Sequence, residues 1–121
     1  MRPVLLVDDS ALVRRVLAQK LAAVGLTVCE EDSVARGSQA RVLDIACAVL
    51  DLELGDGDGV AIAAALRARD PRLPIAFFSG GADAPLLARA RALGPVFAKG
   101  EGESAVVAWA LAAARDRSLT P

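Results

Sequence analysis

VLLVDDS, residues 4–10, decides how the rest of the chain is read. Four apolar residues run straight into two adjacent carboxylates, Asp8 and Asp9. Such a pair repels itself and resists burial, so it belongs just past the end of a buried strand, where a cation or solvent can meet it. We place that strand at residues 3–7. Over residues 10–24 the apolar period becomes helical: Val13, Val16, Leu17, Leu21 and Val24 share a face, with Arg14, Arg15 and Gln19 opposite. Gly25 ends the helix.

The same alternation continues along the chain. Apolar strands are expected at residues 27–30, 46–51, 75–79 and 95–99, and helices at 34–43, 59–69, 84–93 and 104–117. LELGDGDG (residues 52–59) reads as a flexible loop, Pro71 and Pro74 bracket a turn, and Pro85 suits a first helical turn. Five strands, apolar on both faces and separated by five helices, define an α/β chain with a parallel sheet covered on either side.

At 121 residues the chain suits a single domain over 1–121, with 117–121 as a tail or the start of a linker. Apolar residues are 55% of the total, enough for a sizeable core, and the formal charge is −1. Acids and bases are interspersed, which argues against direct nucleic-acid binding. No apolar run reaches membrane-span length, and VLLV is too short for a signal-peptide core. The expected address is the cytoplasm. The absence of histidine excludes histidine triads, imidazole-dependent zinc sites and a phosphohistidine carrier. Cys29 and Cys47 are expected as small, reduced, buried side chains.

The carboxyl ends of the strands carry the chemistry. Asp8 and Asp9 follow the first strand, Asp51 the third, Ser79 ends the fourth and Lys99 the fifth. In a doubly wound sheet ligands bind just beyond these ends, so the five residues should converge. Three carboxylates suit a hard divalent cation. A carboxylate is also a competent nucleophile toward phosphorus, and an ammonium and a hydroxyl can meet the phosphoryl oxygens.

VDDS, VLDLELGDGDG, FFSG and VFAKG occur in this order, and with them the chain resembles a response-regulator receiver domain of two-component signalling. The resemblance spans essentially the whole chain. It implies a flavodoxin-like (βα)5 sandwich with a five-stranded parallel sheet in the order 2-1-3-4-5. It implies Asp51 as phosphoacceptor, with Ser79 and Lys99 on the phosphoryl oxygens. Mg²⁺, or Mn²⁺ in its place, would be held by Asp9 directly, Asp8 largely through water, Asp51, and the main-chain carbonyl of Glu53. The donor would be a phosphohistidine on a sensor histidine kinase or a histidine phosphotransfer protein. The chain would catalyse only its own phosphorylation and dephosphorylation.

Several positions depart from the family pattern. Gly55 and Gly100 stand where proline is usual; without proline a cis peptide after Lys99 costs about 3 kcal/mol, so either isomer of Lys99–Gly100 is open. Asp58 reads as the family's ordinary loop acid, and Asp56 is within reach of the site. Two alternatives to the switch reading stand: a degenerate receiver that binds partners regardless of phosphate, and a small aspartate-nucleophile phosphatase. The second is disfavoured because DDS is not the DxD motif that such enzymes carry.

After Arg117 only SLTP remains, so output is expected through protein contact, whether the chain stands alone or belongs to a longer protein. On the last helix Val107, Ala110, Leu111 and Ala114 form a core stripe, and Val106, Trp109 and Ala113 a second stripe on the far side. The resemblance makes helix four, strand five and helix five the expected partner face, including Trp109. Val96 occupies the position of the family's mobile aromatic, and Phe97 should point to the opposite sheet face. Structures of the free protein and of a phosphate-mimic complex should therefore show no large inward swing of Phe97; such a swing would restore the aromatic toggle.

Overall fold

The computed structural model describes residues 1–119. Its elements in chain order are β1 (Val4–Val7), α1 (Ala11–Ala23), β2 (Val28–Glu31), α2 (Val34–Ser38), β3 (Cys47–Leu50), β4 (Glu53–Leu54), β5 (Gly57–Asp58), α3 (Gly59–Arg69), β6 (Ile75–Ser79), α4 (Ala84–Arg91), β7 (Val96–Ala98) and α5 (Ser104–Leu119). Five strands form one parallel sheet in the order β2-β1-β3-β6-β7. Counted among the parallel strands alone, this is the expected 2-1-3-4-5.

Strand periodicity divides the core. Leu5, Val7, Leu50 and Phe77 face Ile62 and Leu66 of α3, while Val4, Leu6, Val49 and Phe78 face Leu17 and Leu21 of α1 and Val106 and Ala110 of α5. β1 and β3 are buried throughout because helices cover both faces. Each fully buried leucine contributes about 2 kcal/mol of apolar transfer. Ser10, Ser33, Asp58 and Asp83 cap α1 to α4, each side chain accepting a backbone N–H in the first turn.

The structure corrects several expectations. The helix expected over 34–43 stops at Ser38, and a separate 3-10 turn spans Val42–Asp44. Gly37 packs against Val7 and Ile62, drawing α2 onto the sheet, and the Arg69 guanidinium takes the Ser38 and Ala40 carbonyls at its end. The segment 52–59 is not a loose loop, because β4 and β5 pair antiparallel within it. β2 is an edge strand, and Cys29 is exposed on it while Cys47 is buried. Val24 is exposed at the end of α1.

On α5, Val106 and Ala113 are core residues, and Trp109 is half-buried against the same cluster with Leu111. The helix runs two residues past its expected end, to Leu119, because Arg117 fastens its last turn. The Arg117 guanidinium donates to the Val42 and Ile45 carbonyls and pairs with Asp70 at 2.6 Å. Arg117 to Leu119 are thus helical rather than tail; Thr120 and Pro121 lie outside the described residues.

Gly59 shows how closely α3 is drawn to the end of β3. A Cβ at this position would lie 2.1 Å from the Asp51 carbonyl oxygen, a backbone contact that no rotamer can relieve. Gly59→Ala should therefore destabilise the protein by about 2–4 kcal/mol in urea unfolding. A loss below about 0.5 kcal/mol would mean that the β3–α3 junction relaxes freely.

Candidate functional site

β1 and β3 lie side by side in parallel register, Val7 opposite Leu50, so both chains leave the sheet at the same level. The residues that follow are Asp8 and Asp9 on one side and Asp51 on the other. Carboxylate oxygens of these three residues all lie within 4.8 Å of one another. Asp8 and Asp51 are buried, at 2% and 6% exposure, and Asp9 is exposed. β7 supplies the compensating charge. Its strand ends at Ala98, paired with Ser79, and the next residue, Lys99, places Nζ 2.8 Å from Asp8 Oδ2 and 3.4 Å from Asp51 Oδ2.

Ser79 is 5% exposed at the end of β6, and its hydroxyl accepts the Gly81 N–H at 3.3 Å. The structure thus brings Asp8, Asp9, Asp51 and Lys99 together, while Ser79 lies at the end of β6 along the same edge of the sheet. Glu53 directs its N–H at Asp51 Oδ1 over 3.5 Å. The Lys99–Gly100 peptide is trans, as are all the described peptides. Val96 packs on the α3 side of the sheet and Phe97 on the α1/α5 side, the opposite orientations that strand periodicity requires.

Burial raises the Asp51 carboxyl from 3.8 to about 6, and the negative charge of Asp8 adds to it; Lys99 and the Glu53 N–H pull the other way. Burial alone would lower the Lys99 ammonium, but its hydrogen bond to Asp8 and the charges of Asp51 and Asp8 hold it above its ordinary range. One ammonium paired with two of three clustered carboxylates leaves an all-oxygen cluster of net negative charge, which fits a hard divalent cation.

Asp56 does not reach this cluster. It sits at the tip of the β4–β5 hairpin and accepts the Val34 and Ala35 N–H groups at 2.8 and 3.1 Å, which hold its carboxyl below the usual range. Asp58 caps α3 and meets Arg89 of α4 at 3.4 Å. The sequence reading placed Arg14 on the polar face of α1, but its guanidinium reaches back over the strand ends to the Asp8 carbonyl and to Glu30.

This fold and strand-end cluster define a doubly wound α/β domain with an acidic site at its strand ends, and known proteins identify the family. The chain belongs to the response regulator receiver domain family, whose sequence pattern matches residues 4–96. It is 34% identical over 93 residues to the transcriptional regulatory protein FixJ of Azorhizobium caulinodans, covering 76% of this chain and 44% of that protein. It is 39% identical over 69 residues to the acid tolerance regulatory protein ActR of Sinorhizobium medicae, covering 56% and 36% respectively. The chain thus matches less than half the length of either relative.

Among solved structures, a response regulator receiver protein of Sinorhizobium medicae superposes with a TM-score of 0.83 at 22% identity, covering 96% of both chains. The response regulator TrrA of Thermotoga maritima, solved in complex with Mg²⁺–BeF, superposes at 0.82 with 16% identity, covering 93% of this chain and 99% of that one. At these identities the superpositions establish the fold. Receiver domains of response regulators interact with histidine kinases. No helix among the described residues is long and apolar enough to cross a membrane.

The raised Asp51 carboxyl carries a stability consequence in metal-free protein. A carboxyl that titrates near 6 when folded and near 3.8 when unfolded holds its proton more tightly in the native state. The resulting stabilisation is complete below pH 3.8 and is lost as pH rises through 6. In EDTA at pH 7.5, Asp51→Asn should therefore be about 3 kcal/mol more stable than wild type in urea unfolding, the gap narrowing toward pH 5. Added Mg²⁺ should stabilise wild type more than the variant. A gap independent of pH would show that Asp51 is not held near neutrality.

Proposed function

We propose that the chain, one domain over residues 1–121, is a phosphoacceptor that receives a phosphoryl group on Asp51 and thereby switches the binding of a partner protein. The donor is a phosphohistidine on a sensor histidine kinase or a histidine phosphotransfer protein. An Asp51 oxygen attacks phosphorus in line, the P–N bond breaks, and the imidazole leaves with the bonding pair.

Asp9 and Asp51 with the main-chain carbonyl of Glu53 would hold Mg²⁺, or Mn²⁺ in its place, with Asp8 acting largely through water. The bound ion supplies charge neutralisation for the phosphoryl oxygens. Lys99 then transfers its ammonium from the Asp51 carboxylate to a phosphoryl oxygen, and the Ser79 hydroxyl donates to another. The observation that carries this reading is the buried Asp51 carboxylate, clustered with Asp8 and Asp9 and neutralised only in part by Lys99. The engagement of both Asp8 oxygens, by Ser10 N–H and by Lys99, supports an indirect role for that residue. The complex formed by TrrA supports the same ion here.

The output partner is a protein met by the face of α4, β7 and α5 that includes Trp109, with no direct contact to nucleic acid or membrane, in the cytoplasm. Incubation with acetyl phosphate and Mg²⁺ should add the mass of one phosphoryl group. Asp51→Asn or EDTA should abolish the adduct. A wild-type protein that stays unmodified would leave a receiver fold that binds partners without phosphate.

A further inference from the structure

Asp9 differs from the other acids of the cluster in that nothing among the described residues holds its carboxylate. Asp8 uses every polar group it has. Its N–H goes to the Glu31 carbonyl at 3.2 Å, one carboxylate oxygen takes the Ser10 N–H at 2.9 Å, and the other takes Lys99. Its carbonyl takes Nη1 of Arg14 at 2.5 Å. Asp9 is exposed, and no hydrogen bond or ion pair restrains its carboxylate among the described residues. What aims it is the backbone. The Asp8 carbonyl belongs to the peptide plane that ends at the Asp9 Cα, so fixing that carbonyl fixes where this Cα lies, while the Ser10 N–H held by Asp8 Oδ1 ties the peptide on its other side.

Arg14 is well placed for this task. It starts from the second turn of α1, where its own N–H is tied to the Ser10 carbonyl at 3.0 Å, and its side chain is only 19% exposed. Nε rests against Glu30 of β2 at 3.4 Å while Nη1 holds the Asp8 carbonyl. A planar guanidinium engaged at two edges has little freedom to rotate, which an ammonium on a flexible stem would retain. We infer that Arg14 is a positioning residue for the metal centre, clamping the Asp8–Asp9 peptide so that the unrestrained Asp9 carboxylate stays in the cluster.

This inference rests on the metal-binding reading above, and one titration separates the two. Mg²⁺ is titrated into the full ¹⁵N-labelled chain at pH 7.5, with dissociation constants read from amide shifts, in wild type, Arg14→Met, Asp9→Asn and the double variant. The same spectra report that each variant is folded. Arg14→Met should weaken Mg²⁺ about tenfold, the range found when partners that orient a metal ligand are removed. Because Arg14 is a cation beside a cation site, removal of its charge alone would strengthen binding, so the sign of the change discriminates. In the Asp9→Asn background the Arg14 substitution should cost less than twofold, since its target is gone. Unchanged or tighter binding in Arg14→Met, or an equal loss in both backgrounds, would overturn the positioning role. Absence of saturable Mg²⁺ shifts in wild type would overturn the metal reading itself.

Discussion

Two carboxylates share the buried end of this sheet because one ammonium lies between them. Lys99 Nζ sits 2.8 Å from Asp8 and 3.4 Å from Asp51, and without it two like charges would face each other at less than 10% exposure. A single cation among three acids is a deliberate shortfall in electrostatic terms. It offsets only part of the acidic charge, so the cleft keeps a net negative charge of the kind that suits a further cation. The sheet serves this arrangement. Parallel β1, β3, β6 and β7 all end at one edge, and helices pack against both faces of the sheet that carries them.

Most of that arrangement was legible in the sequence because each strand changes character abruptly where it ends. VLLV meets Asp8, CAVL meets Asp51, and VFA meets Lys99, so the boundary between core and site is written residue by residue. Ser79 was legible for the same reason. The periodicity of β7 also placed Val96 and Phe97 on opposite faces correctly, since alternation in a strand admits no other result.

What escaped was decided by contacts between residues distant in the chain. Val34, Val42 and Leu43 keep helix-like spacing, yet α2 ends at Ser38, where Arg69, on another helix, takes the carbonyls of Ser38 and of Ala40 just beyond it. Val106 and Ala113 sit beside the expected α5 stripe and are buried because α5 is covered over a wider arc by the sheet and α1. Cys29 was expected inside, but its strand lies at the sheet edge, and edge position is a property of topology rather than of local composition. Arg14 reads as an ordinary polar helix position. The reach of a long side chain back over its own N-terminus leaves no mark in hydrophobic periodicity.

The β4–β5 hairpin has a consequence for observing the molecule. Its tip residue, Asp56, occupies the Val34 and Ala35 amides, so these two protons are shielded by a residue from the segment just after Asp51 rather than by their own helix. Solvent exchange at those amides is thus a gauge of hairpin order. A spectroscopist following two backbone signals in α2 would read the order of the hairpin that follows Asp51, without a label near the acidic cluster.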